Sequence, residues 1–179
     1  SCEEQGLMTA GKDLNRQYFD FEKSIRLNVT NETLDAHRVL VKWAVRKTDA
    51  TILREEEQWL EVPALSAVWM DKVELPQIDC FNEYVSYEAW ENDQIISQGT
   101  VIFSYPKYFR YLNPGLTVRV DGDEIVVKAE AYAKSVEIRN ENDDLILEDN
   151  YFDMNAGEYR VKILDGKPDG LKVRSVYDI

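Results

Sequence analysis

The chain has 179 residues, 44% hydrophobic and 31% charged, enough apolar mass for one large or two small cores beneath a well-solvated surface. Its 34 acidic against 21 basic residues give a formal net charge of −13, which repels phosphate backbones and anionic lipid and argues against nucleic-acid and membrane partners. No apolar run approaches the roughly 20 residues that span a bilayer, and no secretory h-region opens the chain.

A polar leader, Ser1 to about Arg16, comes first; its start at Ser1-Cys2-Glu3-Glu4 without Met reads as a processed chain or a piece of a longer one. Ile25, Leu27 and Val29 then alternate with polar neighbours, the period of a half-buried strand, until Thr30-Asn31-Glu32-Thr33 breaks the run. Two sequons overlap here, Asn28-Val29-Thr30 and Asn31-Glu32-Thr33. They are glycan acceptors only in a eukaryotic secretory protein; with no other sign of secretion they read as a strand end and its turn. Val39, Val41, Trp43 and Val45 form the next alternating run, closed by the turn Thr48-Asp49-Ala50-Thr51. Ile52 to Val62 is a third strand ended by Pro63, and its Glu55-Glu56-Glu57 reads as a solvated edge that discourages strand-to-strand aggregation. Ala67 to Leu75 is predicted as a fourth strand, ended by Pro76. Glu83 to Glu91 and Ile95 to Ser104 form a hairpin across Glu91-Asn92-Asp93-Gln94.

Tyr105-Pro106-Lys107 marks a change of segment. Beyond it, strands are predicted at Leu116–Asp121, Glu124–Tyr132, Ser135–Arg139, Leu145–Leu147, Tyr159–Leu164 and Leu171–Tyr177. Turns fall at Asp121-Gly122-Asp123, Asn140–Asp144 and Asp165–Gly170. Strands about every 8–12 residues with turn signals between them are the signature of β-sandwiches. The pattern predicts an all-β chain of two tandem sandwich domains, residues 1–104 and 105–179. The second, about 75 residues long, is of a size at which burial is marginal, and is expected to lean on a neighbour.

Between two of these strands lies Asp149-Asn150-Tyr151-Phe152-Asp153-Met154-Asn155-Ala156-Gly157-Glu158. Adjacent aromatics on an extended segment point to opposite faces, so one of Tyr151 and Phe152 should enter the core. Asp and Asn supply side-chain-to-backbone bonds, and Gly157 tolerates positive φ. The segment reads as a corner: an aromatic plug, then a turn that launches another strand.

Residues able to carry chemistry are sparse. His37, the single histidine, stands at a strand start with no Cys or clustered carboxylate near it in sequence, and reads as an ordinary strand-end residue. Cys2 and Cys80 lack a CxxC partner and do not make a disulfide framework; two unpaired thiols fit a reducing, cytoplasmic setting. The acidic turns Asp121-Gly122-Asp123-Glu124, Glu141-Asn142-Asp143-Asp144 and Asp165–Asp169 invite a calcium reading, but they are short and fit hairpin turns as they stand. Trp43, Trp59, Trp69 and Trp90 could stack against sugar rings, as in a carbohydrate-binding module; large aromatics in a sandwich more often fill its core or an interface. Asn82-Glu83 matches the acid/base pair of many barrel glycosidases, yet it opens a strand in a chain without the βαβ pattern of a barrel. No nucleophile elbow, phosphate loop or dinucleotide fingerprint occurs. No catalytic, cofactor-binding or metal-ligating residue is therefore assigned.

The corner nevertheless resembles a phrase in the C-terminal domains of family 2 β-mannosidases: an acid, Asn, two aromatics, Asp, a spacer, then Gly-Glu before a strand. Asp149-Asn150-Tyr151-Phe152-Asp153 and Gly157-Glu158 match it, with Ala156 where Pro is common. Tyr105-Pro106-Lys107-Tyr108-Phe109-Arg110-Tyr111-Leu112 resembles the segment that enters the last domain, and Val62-Pro63-Ala64-Leu65-Ser66 resembles a linker in the domain before it. Ser1-Cys2-Glu3-Glu4 resembles the end of that domain's first strand, and Val173 to Ile179 the natural terminus. The resemblance implies two immunoglobulin-like sandwiches forming a non-catalytic accessory region. Its partner would be an upstream catalytic barrel of the same polypeptide, which holds both catalytic carboxylates, needs no cofactor and removes terminal β-mannosyl residues; any mannoside would be met only through that parent active site. An autonomous carbohydrate-binding module and a fibronectin-like protein-interaction domain are the alternative readings.

Overall fold

The computed structural model describes residues 6–7 and 20–179. Most of the polar leader, with Cys2 and Ser1-Cys2-Glu3-Glu4, lies outside them. The chain divides into two compact units: one holds the described residues up to Val45 and Arg54–Phe109, the other Arg46–Leu53 and Arg110–Ile179. Among the described residues the only helices are single 3₁₀ turns at Pro106–Tyr108 and Val176–Asp178, and no helix is long and apolar enough to cross a membrane.

The first sandwich is built from β1 (Gly6–Leu7), β2 (Asp20–Phe21), β3 (Ser24–Ile25), β4 (Asn28–Asn31), β5 (His37–Lys47), β6 (Ile52–Val62), β7 (Ser66–Trp69), β8 (Val73–Glu74), β9 (Glu83–Glu91) and β10 (Gln94–Ile102). One layer is the sheet β10-β9-β5-β6; the other pairs β4 with β7 and β3 with β8, and β1 pairs with β2. The alternation on β5 sends Val39, Val41, Trp43 and Val45 inward, where they meet Leu60, Val62 and Val85 and, from the other layer, Ile25, Leu27 and Met70. Full burial of each large apolar side chain contributes about 1.5–3 kcal/mol, so this stripe and the residues it meets stabilise the unit. β6 is a sheet edge, and its Glu55-Glu56-Glu57 is exposed as expected. The β9–β10 connection tightens to two residues, Asn92 and Asp93, both at positive φ (49° and 62°), a pairing that matches the twist of the flanking strands.

The strand predicted over Ala67–Leu75 is two strands. Ile25 pairs with Val73 and Asn28 with Trp69, so Arg26 and Leu27 face Met70, Asp71 and Lys72. The extra residue makes a bulge, while the Met70 N–H still donates to the Leu27 carbonyl at 2.9 Å.

The second sandwich contains β11 (Thr117–Asp121), β12 (Glu124–Ala129), β13 (Ala133–Arg139), β14 (Ile146–Leu147), β15 (Phe152–Met154), β16 (Gly157–Asp165) and β17 (Lys172–Arg174). Its layers are β11-β12-β16-β14 and β15-β13-β17. Ile125, Val127 and Val161 of the first layer pack against Val136, Ile138, Phe152 and Met154 of the second. The strand predicted over Leu171–Tyr177 ends at Arg174, because Ser175 caps the following 3₁₀ turn: its hydroxyl accepts from the Tyr177 N–H, and its own N–H donates to Asp178 at 2.7 Å.

Candidate functional site

The corner at Asp149–Glu158 concentrates side-chain bonding, and its geometry shows what those groups are for. Phe152 is 7% exposed and Tyr151 63%, so Phe152 is the plug. Its ring stacks on Tyr159 of β16 at 3.9 Å between centroids, and the Tyr159 hydroxyl donates to Asp149 at 2.9 Å. The residues from Phe152 to Met154, read from sequence as plug and turn, form a short strand on β13. That ladder shifts register between Ala133 and Val136, where Ser135 has φ of 50°. Asp153 stabilises the irregularity by accepting from the Ser135 N–H at 2.8 Å and from Lys134 Nζ at 2.9 Å.

Asn150 and Tyr151 secure the other end. The Asn150 side-chain oxygen accepts from the N–H groups of Ile138 and Tyr151 at 2.9 and 3.0 Å, and its nitrogen donates to the Ile138 carbonyl at 3.0 Å. Tyr151 adopts φ of 64°, unusual for an aromatic residue, which turns its ring outward beside the inward Phe152. Its hydroxyl donates to Glu137 Oε1 at 2.8 Å, and the other Glu137 oxygen accepts from Arg174 Nε. Arg174, then the Tyr151 hydroxyl, hold the Glu137 carboxyl below its ordinary value, and the carboxylate in turn raises the tyrosine.

Beside this corner, between β13 and β17, lies a polar cleft of about 300 Å³ lined by Glu137, Arg139, Asn140, Asp143, Lys172 and Arg174. Its charges are largely paired internally: Arg139 grips Asp143 at 2.7 and 2.9 Å, and Arg174 grips Glu137. Here the carboxylates face arginines rather than a nucleophile or a second acid, an arrangement that locks strands and presents no general acid–base couple.

The remaining candidates are dispersed. His37 acquires a partner invisible in sequence: the ladder brings Glu91 to 2.6 Å from Nδ1, while Thr33 Oγ1 sits 2.7 Å from Nε2. Asn82 lies in a turn and Glu83 opens β9, as expected. The Glu83 carboxylate accepts from the Asp79 N–H at 3.0 Å, and the Asn82 amide donates to Asp79 at 2.6 Å. Asn31 is buried, its amide donating to the carbonyls of Asp35, Val62 and Pro63, which explains the second sequon as a turn staple. In the Asp121–Glu124 turn, Arg119 and Arg160 reach Asp121, and Arg160 also reaches Glu124. Arg160, then Arg119, hold the Asp121 carboxyl below its usual range. Among the described residues no group of three or more His, Cys, Asp or Glu is placed to hold a metal ion.

The four tryptophans do not make one platform. Trp43 is in the core, 2% exposed, and Trp69 belongs to the other layer, with Arg26 over its ring at 4.9 Å. Trp59, 52% exposed, and Trp90 lie on the larger sheet beneath Arg38 at 4.4 Å and Lys42 at 5.2 Å.

Family comparison fits this architecture. The family model of the mannosidase Ig/CBM-like domain matches residues 23–108, and that of an Ig-fold domain of the mannosidase type matches residues 111–179. The chain is a tandem of two mannosidase-type immunoglobulin-like domains. A comparison with curated proteins finds no match. Among solved structures, the two domains resemble part of the β-D-mannosidase of Dictyoglomus thermophilum at 15% identity and a TM-score of 0.73, over 98% of this chain and 21% of that one. They also resemble part of the exo-chitosanase of Amycolatopsis orientalis at 14% identity and a TM-score of 0.55, over 86% of this chain and 25% of that one. The mannosidase-type pair thus spans about a fifth to a quarter of the length of these proteins.

Proposed function

We propose that this chain is the non-catalytic C-terminal accessory region of a family 2 β-mannosidase, with residues 1–104 and 105–179 as its two domains. Its parent hydrolyses terminal non-reducing β-D-mannosyl residues with retention. The observation that carries the reading is the superposition of 98% of this chain on only 21% of a β-D-mannosidase, together with two successive mannosidase-type domain matches. The committed bonding of the corner supports a structural role: Asn150, Tyr151 and Asp153 fasten strands. An upstream catalytic barrel of the same polypeptide is the partner, and the sandwiches support it. Cys80, a free thiol, fits the reducing cytoplasmic setting of this proposal.

The test is an aryl β-mannoside assay on the 179-residue chain and on the complete polypeptide from which it derives. Turnover is expected from the complete polypeptide alone. Turnover by the shorter chain, or none from the complete one, would overturn the reading.

A further inference from the structure

The turn after β4, the start of β5 and the end of β9 bring Thr33, His37 and Glu91 together. Glu91 Oε1 lies 2.6 Å from His37 Nδ1, and Thr33 Oγ1 lies 2.7 Å from His37 Nε2. A carboxylate can only accept, so Nδ1 carries the proton shared with Glu91. In the neutral ring this leaves Nε2 as an acceptor facing the Thr33 hydroxyl. Hydroxyl, imidazole and carboxylate thus stand in the order of an activated-nucleophile relay, which is recognised by geometry and not by position in the chain.

The loop holds the hydroxyl in place. The buried Asn31 ties it down through the carbonyls of Asp35, Val62 and Pro63, and its side-chain oxygen accepts the Thr33 N–H at 2.9 Å. That oxygen, at 2.8 Å, and the Asp35 carbonyl, at 3.2 Å, compete for the Thr33 hydroxyl proton, but Nε2 is the shortest contact. Thr33 is exposed, with apolar contact beside it from two exposed leucines: Leu34, next in the chain, and Leu65, whose N–H donates to the Thr33 carbonyl at 3.1 Å. One backbone donor, the Asp35 N–H, faces Thr33 Oγ1 from 3.4 Å. A single donor at that distance gives a developing oxyanion little help, so the acyl donors that suit this site carry a good leaving group.

We propose that Thr33 is an acyl-acceptor site that takes an acyl group with a short apolar chain from an activated ester. Thr33 Oγ1 attacks the ester carbonyl carbon while His37 Nε2 takes the hydroxyl proton. The bond from that carbon to the leaving oxygen then breaks, and the leaving oxygen keeps the electron pair and receives the proton from His37. The products are O-acyl Thr33 and the free alcohol or phenol, with neutral His37 restored. Glu91 is a positioning residue: it fixes the Nδ1–H tautomer and stabilises the imidazolium as it forms. The step involves no glycoside chemistry, so it stands or falls apart from the accessory-region reading.

The experiment treats the 179-residue chain with p-nitrophenyl butyrate and locates the acylated positions by peptide mass spectrometry. A butyryl group is expected on Thr33, and at the same position in Thr33→Ser. His37→Gln should slow acylation there by about 100-fold, while the lysines of the same sample, an internal reference, react as before. Because the chain has a single histidine, nitrogen NMR reads its ring directly. The Nδ1–H tautomer is expected in the wild type, and Glu91→Gln should lose that preference and acylate Thr33 more slowly. Acylation confined to the lysines overturns the proposal, as does an equal rate at Thr33 in wild type and His37→Gln. An Nε2–H tautomer in the wild type also overturns it, and that reading requires no variant to fold.

Discussion

Asn150 takes the place of a strand residue opposite Ile138: its side-chain oxygen accepts the Ile138 N–H at 2.9 Å, and its side-chain nitrogen donates to the Ile138 carbonyl at 3.0 Å. A side-chain amide thus reproduces both bonds of a ladder pair at a point where the backbone has turned away, with Tyr151 at φ of 64°. Asn150→Ala leaves both Ile138 groups without that partner. Orphaned backbone groups cost about 1–3 kcal/mol each when buried, so a loss of about 2–4 kcal/mol is expected in urea unfolding. Asn150→Asp keeps the acceptor and loses the donor, and should fall between wild type and alanine. Equal stability of Asn150→Ala and wild type would contradict the pairing.

Glu137 makes the second sandwich sensitive to acid. Its carboxyl is lowered in the folded state by Arg174 and then by Tyr151. A group lowered on folding contributes stability above its unfolded value, near 4.5 here, and that contribution is lost as pH falls through the folded value. Glu137→Gln should therefore be less stable than wild type by a constant margin above about pH 5.5, with the gap closing in more acidic buffer. Denaturant midpoints from pH 3 to 7, roughly the range over which carboxylates titrate, provide the check; a gap that widens in acid would reverse the assignment.

Gly166 and Gly122 both have positive φ, 90° and 66°, but their surroundings differ. A Cβ on Gly166 would lie 2.6 Å from the Asp144 carbonyl oxygen, whereas one on Gly122 meets nothing within 4 Å. Gly122→Ala should cost about 1 kcal/mol for its left-handed backbone alone. Gly166→Ala adds a clash with backbone and should cost at least about twice as much. Thermal or urea unfolding of the two variants gives the ranking; equal losses would show that the Asp144 loop yields freely.

Trp59 and Trp90 lie beneath Arg38 and Lys42, and Trp43 is in the core, so no continuous aromatic face is presented to a sugar chain. Calorimetric titration with manno-oligosaccharides is expected to give no saturable heat at millimolar ligand. Saturable binding that disappears in Trp59→Ala would favour an autonomous carbohydrate-binding module instead.

Local patterns were legible wherever neighbours in sequence settle the structure. The alternation of Val39, Val41, Trp43 and Val45 determined both strand and buried face, and Asn92-Asp93 and Gly122 marked hairpin turns, because period and turn chemistry are properties of a few consecutive residues. The Met70–Lys72 bulge was not legible: Ala67–Leu75 keeps a strand-like composition, and the extra residue exists only relative to the partner strand. The wording of the corner pointed to its family, but the three-residue strand Phe152–Met154 was too short to show a period.

The sequence by itself determined that this is an all-β chain of two sandwiches, which its family resemblance made immunoglobulin-like, and that one of two adjacent aromatics must be buried. Only the tertiary structure decided that Phe152 is that residue, that Asn150 serves Ile138, and that His37 meets Glu91 across 54 positions. Strand period follows from each residue's own backbone geometry and burial, whereas these pairings depend on register and loop closure between distant segments, which the whole fold sets at once.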